Sequence, residues 1–334
     1  MKNFLKKLSI FFLPIILILV LVISLDIFKV FWEYDNYYRD NFVTLNRDYV
    51  CTRTYEKFRK KKKFNAFIFG SSRSHAYKTP QWKMHLPDNA IPFHYDSSGE
   101  GVYGVSKKIE YIDELGDTIE HALIIIDRKF IKYTKNKKGH LFMTSPSLSK
   151  ESWVSFYTTF IKASLNLKFL AAYIDYSLFK VHRSYMGNLI RHTKYPHTVN
   201  KYTCDMYYGY DKHLKEDAQG YYNVLLKKGV FYSRPRKKKI KKVKITKLEV
   251  KQFKAISKIF KKHKTDYRIV ISPMYDQIPF EKSQLQLLHK IFGKDYVFDF
   301  SGKNTFTENI RNYYETSHYR PHVANKIMKI IYKK

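Results

Sequence analysis

Apolar and polar positions alternate differently in three stretches of the chain. From Leu8 to Leu25 no charge interrupts the run LSIFFLPIILILVLVISL. At 1.5 Å rise per residue, such a run matches a hydrocarbon core about 30 Å thick. It predicts a transmembrane helix, with Pro14 tolerated inside it and Trp32, Tyr34, Tyr37 and Tyr38 placed as an aromatic belt. Beyond a polar, aromatic-rich stretch, short apolar runs alternate with helical periodicity, the pattern of a parallel α/β sheet. Strands are predicted at Asn65 to Phe69, Ile91 to Tyr95, Ala122 to Asp127, Tyr267 to Pro273 and Tyr296 to Phe300. Helices fit Gly104 to Glu114, Leu248 to Lys262, Phe280 to Phe292 and Pro321 to Ile331, with Pro321 suited to a first turn. Between residues 128 and 244 the alternation lapses into an aromatic-rich, mostly helical insertion. The expected fold is α/β: a doubly wound parallel sheet of about five strands with a helical insertion and one N-terminal transmembrane helix. Residues 1–30 form the anchor, 31–63 a stalk and 64–334 the soluble domain.

Two features of the first stretch decide its fate. The residues at its end, Val22-Ile23-Ser24-Leu25-Asp26, lack the small-x-small site of a cleaved signal, so the helix is expected to be kept as an anchor. Lys2, Lys6 and Lys7 precede it, which favours a cytoplasmic N-terminus and an extracytoplasmic domain.

Charge widens the choice of partners without selecting one. Lys and Arg number 62 against 29 Asp and Glu, a net +33, which suits anionic lipid or an acidic glycan as well as a plain solvated surface. The basic runs Arg59 to Lys63 and Arg234 to Lys244 are not interleaved with aromatics, which argues against nucleic acid. Cys51 and Cys204 are too few for a disulfide framework or a structural zinc site, and fit one long-range disulfide or two buried thiols.

Three segments carry candidate chemistry. The first predicted strand runs into Gly70-Ser71-Ser72-Arg73, placing hydroxyls at the sheet edge where ligands bind. Glu315-Thr316-Ser317-His318 offers an imidazole and an acid that can orient it. Ser98-Gly99-Glu100-Gly101 follows the second strand, where glycine lets a backbone amide approach a developing oxyanion. Each alone also fits an ordinary turn or helix cap.

Together these segments resemble the SGNH (GDSL-like) hydrolase superfamily, in particular its membrane-anchored bacterial branch of D-alanyl transfer and polysaccharide O-acylation proteins. The likeness covers most of residues 64–334 and is weakest across the insertion. Ser72 stands at the nucleophile's place and Ser71 at that of the family's Asp. Glu315 and His318 stand where the family has Asp-x-x-His, which implies His318 as general base and Glu315 as orienting acid. The Ser72 amide with Gly99 or Gly101 would supply the oxyanion donors. Asp127-Arg128-Lys129 replaces the family's Gly-x-Asn-Asp, so its Asn donor is missing. The resemblance implies a serine-dependent esterase or O-acyltransferase of a cell-envelope polysaccharide or glycolipid, without metal or other cofactor, beside membrane lipid and a multispanning acyltransferase partner. The other reading is a non-catalytic surface or scaffold protein of this fold that holds anionic envelope polymer.

Overall fold

In the computed structural model, which describes residues 1–191, 194–234 and 245–333, five strands form one parallel sheet. They are β1 (Ala66–Gly70), β2 (Pro92–Asp96), β3 (His121–Ile126), β4 (Asp266–Ile271) and β5 (Val297–Asp299), in the order β2-β1-β3-β4-β5. All five expected strands are present, shifted by a residue or two. Each of β1, β2 and β3 is apolar over most of its length and buried on both faces, as parallel strands between helices must be.

The principal helices are α1 (Lys2–Leu25), α2 (Arg47–Lys62), α3 (Val102–Glu114), α4 (Trp153–Ser164), α5 (Leu167–Phe179), α6 (Lys247–His263), α7 (Lys282–Phe292) and α8 (Pro321–Ile331), besides shorter helices and turns. One core, around Phe67, Phe69, Ile124 and Ile271, lies under α2, α3, α6 and α7. A second, on the opposite face around Ile68, Leu123 and Val270, is closed by α8, which buries Val323, Ala324, Ile327, Met328 and Ile331. Those positions recur at helical spacing, and Pro321 opens the helix as expected. A third core joins Ile27, Phe28 and Val30, just after α1, to Phe156 and Phe160 of α4 and Phe169 of α5.

The stretch expected as a stalk folds differently. Residues 47–62 form α2, capped by the Asn46 side chain, which accepts the Tyr49 N–H at 3.0 Å. This helix buries Cys51 and Tyr55 against the sheet. The basic run Arg59 to Lys63 ends it, favourably placed at the negative end of the helix dipole, and Arg59 pairs with Asp117 at 2.8 Å. In the other run, Arg234 donates to the Glu308 carbonyl at 3.0 Å and stacks on Tyr275. Residues 235–244 lie outside the described part. Cys51 and Cys204 are both buried free thiols, and burial pushes the Cys51 thiol well up.

Candidate functional site

β1 ends at Gly70, where an added Cβ would stand 2.6 Å from the Ile125 carbonyl oxygen of β3. Glycine is required by that close approach. Ser71 then caps a 3₁₀ turn, Ser72–Ala76. As its first residue, Ser72 keeps a backbone N–H with no acceptor inside the turn.

The second arm is a two-stranded ladder, Tyr313–Glu315 with His318–Tyr319, in which Glu315 stands opposite His318. Tyr313 donates to the Pro273 carbonyl at 3.0 Å and Tyr314 to Asp211 at 2.5 Å, which fix the ladder on the second core. The result is a continuous relay. His318 Nε2 lies 2.8 Å from Ser72 Oγ, and His318 Nδ1 is hydrogen-bonded to Glu315 Oε1. Glu315 Oε2 accepts the Ser317 N–H at 2.7 Å. Burial pushes the Glu315 carboxyl up, but the bond and charge of His318 and the Ser317 amide outweigh it and leave the group below its ordinary range. A carboxylate only accepts, so Nδ1 carries the ring proton and Nε2 presents its lone pair to the Ser72 hydroxyl. The His318 ring is also packed edge-on against Tyr208 of the insertion, centroids 5.7 Å apart.

A pocket of about 460 Å³ opens at the same turn, lined by Ser71, Arg73, Gly99, Asp127, Lys129 and Lys137 among others. These residues follow β1, β2 and β3, at the point where strand order reverses and open α/β sheets bind ligands. Gly99 has φ +61° and faces this pocket. Gly101 does not line it: it starts α3 so close to Tyr133 that a Cβ would meet the Tyr133 Cβ at 2.3 Å. Its glycine serves packing. Asp127, where the resemblance leaves an Asn missing, binds Arg73 at 2.6 Å and holds a guanidinium in the pocket wall.

Sequence reasoning missed a second array of serine, histidine and acid two residues along the same turn. Ser74 Oγ lies 2.8 Å from His94 Nε2, and His94 Nδ1 lies 3.1 Å from Asp205 Oδ1. Burial separates the two arrays: Ser74, His94 and Asp205 are all 0% exposed, whereas the His318 side chain is 28% exposed. The inner array admits no substrate and braces the turn. It lacks local spacing, because Asp205 comes from the insertion.

A third buried group completes the support. Arg47 of α2 donates through Nε to Asp96 Oδ2 at 3.0 Å and through Nη2 to the Cys204 carbonyl at 2.8 Å. Asp96 also meets His75 Nε2 at 2.7 Å. Desolvation lowers the His75 pKa to about 3, so its ring is neutral. Its single N–H goes to Asp96, and Nδ1 accepts the Tyr208 hydroxyl at 2.8 Å. Arg47 and His75 outweigh burial and hold Asp96 well below the carboxylate range. Thus α2, β2, the Ser72 turn and the insertion share one buried polar network. Among the described residues no group of three His, Cys, Asp or Glu is arranged to hold a metal ion. Compared with protein-family models, curated proteins and solved structures, the chain finds no match in any of the three.

Proposed function

We propose that this protein is a membrane-anchored serine esterase or O-acyltransferase in which Ser72, His318 and Glu315 act as nucleophile, base and orienting acid. The observation that carries the reading is the relay from Ser72 Oγ through His318 to Glu315, on a turn whose flanking residues Ser71 and Arg73 line a pocket. His318 Nε2 takes the Ser72 proton as Oγ attacks an ester carbonyl. The same proton passes to the departing alkoxide, leaving acyl-Ser72. An acceptor hydroxyl, from a glycan or from water, then gives its proton to His318 and takes the acyl group, and His318 returns that proton to the departing Ser72 Oγ. The Ser72 and Gly99 amides and the Arg73 guanidinium are the donors offered to the oxyanion.

The cationic wall of Arg73, Lys129 and Lys137 suits an anionic envelope polysaccharide or glycolipid, the substrate class implied by the likeness to SGNH hydrolases. The apolar helix α1, almost wholly exposed from Lys7 to Leu25, supports a single membrane span. Its basic N-terminal flank supports an extracytoplasmic domain. The test is a fluorophosphonate probe that cannot cross membranes, applied to intact cells. Labelling that disappears in Ser72→Ala is expected. A folded wild-type protein that takes no label, even in opened membranes, would remove the enzyme reading.

A further inference from the structure

The insertion helices α4 and α5 each carry two apolar faces. Inner residues Phe156, Phe160, Phe169 and Ala172 fill the third core. On α5 an outer stripe of Leu167, Ala171, Ile174 and Leu178 recurs at i, i+4, i+7 and i+11 and is open to solvent, with Leu167 83% and Leu178 71% exposed. On α4 the same spacing joins Val154, 75% exposed, through Thr158 and the half-buried Ile161 to Leu165, the residue just past its end. Phe179, the last residue of α5, and Val181 beyond it extend the apolar surface. A soluble helix normally keeps one apolar stripe, facing the core. A second one needs an occupant.

The fold indicates which occupant. The last turns of α1 touch α4, and Val22, inside the apolar span, is buried there. Immediately after the span, Phe28 stacks on Phe169 at 5.1 Å and lies 5.8 Å from Phe160, while Phe31 stacks on Tyr157 at 5.4 Å. The junction is held firmly. Asp26 accepts the N–H groups of Val30, Phe31 and Trp32 at 2.8, 3.0 and 3.1 Å, and the Trp32 indole donates back to the Ile23 carbonyl at 2.9 Å. Helices packed on the end of a membrane span sit at the height of the bilayer surface. Lys162, Lys168 and Lys180 are exposed along α4 and α5 and past the end of α5, where headgroup phosphates would meet them.

We infer that α4 and α5 form a second membrane contact, an interfacial pair whose outer stripes lie in the headgroup and upper acyl region of the bilayer that α1 crosses. The inference rests on the anchor reading. It fixes the domain as a seated body and not a head on a stalk. Interfacial helices of this kind immerse their apolar face by about 5–10 Å.

The experiment uses the full chain reconstituted in vesicles of pure phosphatidylcholine and phosphatidylglycerol. An environment-sensitive NBD fluorophore is attached to a single introduced cysteine at Val154, Leu167, Leu178, Val20 or Asp88, the native Cys51 and Cys204 being buried. All five positions are exposed, so melting temperatures should stay unchanged. Labels at 154, 167 and 178 are expected to emit blue-shifted light and to be quenched by lipids carrying a nitroxide near the headgroup. Val20 is expected to be quenched as well, and Asp88 to remain solvent-like. Solvent-like labels at 154, 167 and 178 beside a quenched Val20 would overturn the inference and leave the anchor standing. An unquenched Val20 would overturn the anchor, and the inference with it. If 154, 167 and 178 are solvent-like in pure lipid yet shielded from soluble maleimide in native membranes, a protein covers this face and the lipid proposal is wrong.

Discussion

Replacing Glu315 by glutamine tests the relay at the position where one proton decides the outcome. The carboxylate makes two contacts: Oε1 holds His318 Nδ1 and Oε2 accepts the Ser317 N–H at 2.7 Å. Glutamine keeps the shape but has only one acceptor atom, which the Ser317 amide requires. Its NH₂ then faces Nδ1, and two donors cannot face each other. The ring must move its proton to Nε2, which turns a donor toward Ser72 Oγ and removes the base. The imidazolium formed during attack also loses its counter-charge. We expect reactivity of Ser72 to fall by up to about 10⁴, as in the triad template, or roughly 5 kcal/mol at 1.36 kcal/mol per decade. The folded state loses one charge-assisted hydrogen bond at a partly exposed site, about 1 kcal/mol. Glu315→Asp, shorter by a methylene, keeps the charge and should fall between the two. The assay is the second-order rate of fluorophosphonate labelling, which requires no knowledge of the natural ester, paired with the melting temperature. A Glu315→Gln variant labelled at the wild-type rate would show that this carboxylate does not set the His318 tautomer.

Two further expectations separate the supporting groups from the relay. Ser74→Ala should leave the fully buried His94 without its 2.8 Å partner and cost about 1–3 kcal/mol of stability. It should still label at Ser72, and loss of the label from a folded Ser74→Ala protein would transfer the nucleophile's role to the inner array. For pH, the folded protein keeps His75 neutral down to about 3, whereas in the unfolded chain it protonates near 6.5. Between those values the unfolded state binds more protons, so stability falls as pH drops, by up to about 1.4 kcal/mol per pH unit. Melting temperatures from pH 7.5 to 5 should decline less steeply in His75→Gln, and an unchanged slope would exclude His75 as the source.

The sheet was legible because buried parallel strands are near-continuous apolar runs, and Ala122 to Asp127 or Tyr267 to Pro273 have no other plausible reading. Ser72, His318 and Glu315 could be picked out as candidates because each sits in a short segment at a strand end or before a helix, and the structure brings their side chains into hydrogen-bond contact. The helix α2 was missed although Cys51, Tyr55 and Phe58 have helical spacing. Its charges hid it, since Arg47 and Asp48 look solvent-bound and are in fact buried in ion pairs with Asp96 and Lys108. Gly101 looked like an oxyanion donor because a glycine's two uses, close packing and amide access, look alike in sequence. The brace of Ser74, His94 and Asp205 joins a turn, a strand and the insertion, which no local pattern can reveal.

The order of the strands also governs how the molecule is assembled. A chain made from its N-terminus can pair β2, β1 and β3 early, yet the free edge of β3 waits for β4 until the whole insertion has followed. Such late, non-local pairing is slow and leaves an edge open to wrong partners. The same delay falls on the chemistry. Ser72 and His318 are 246 positions apart, so the hydroxyl has no base until nearly the last residues are in place. On the proposed reading, a nascent chain carries an inert serine, and Ser72 gains its base only when folding is complete.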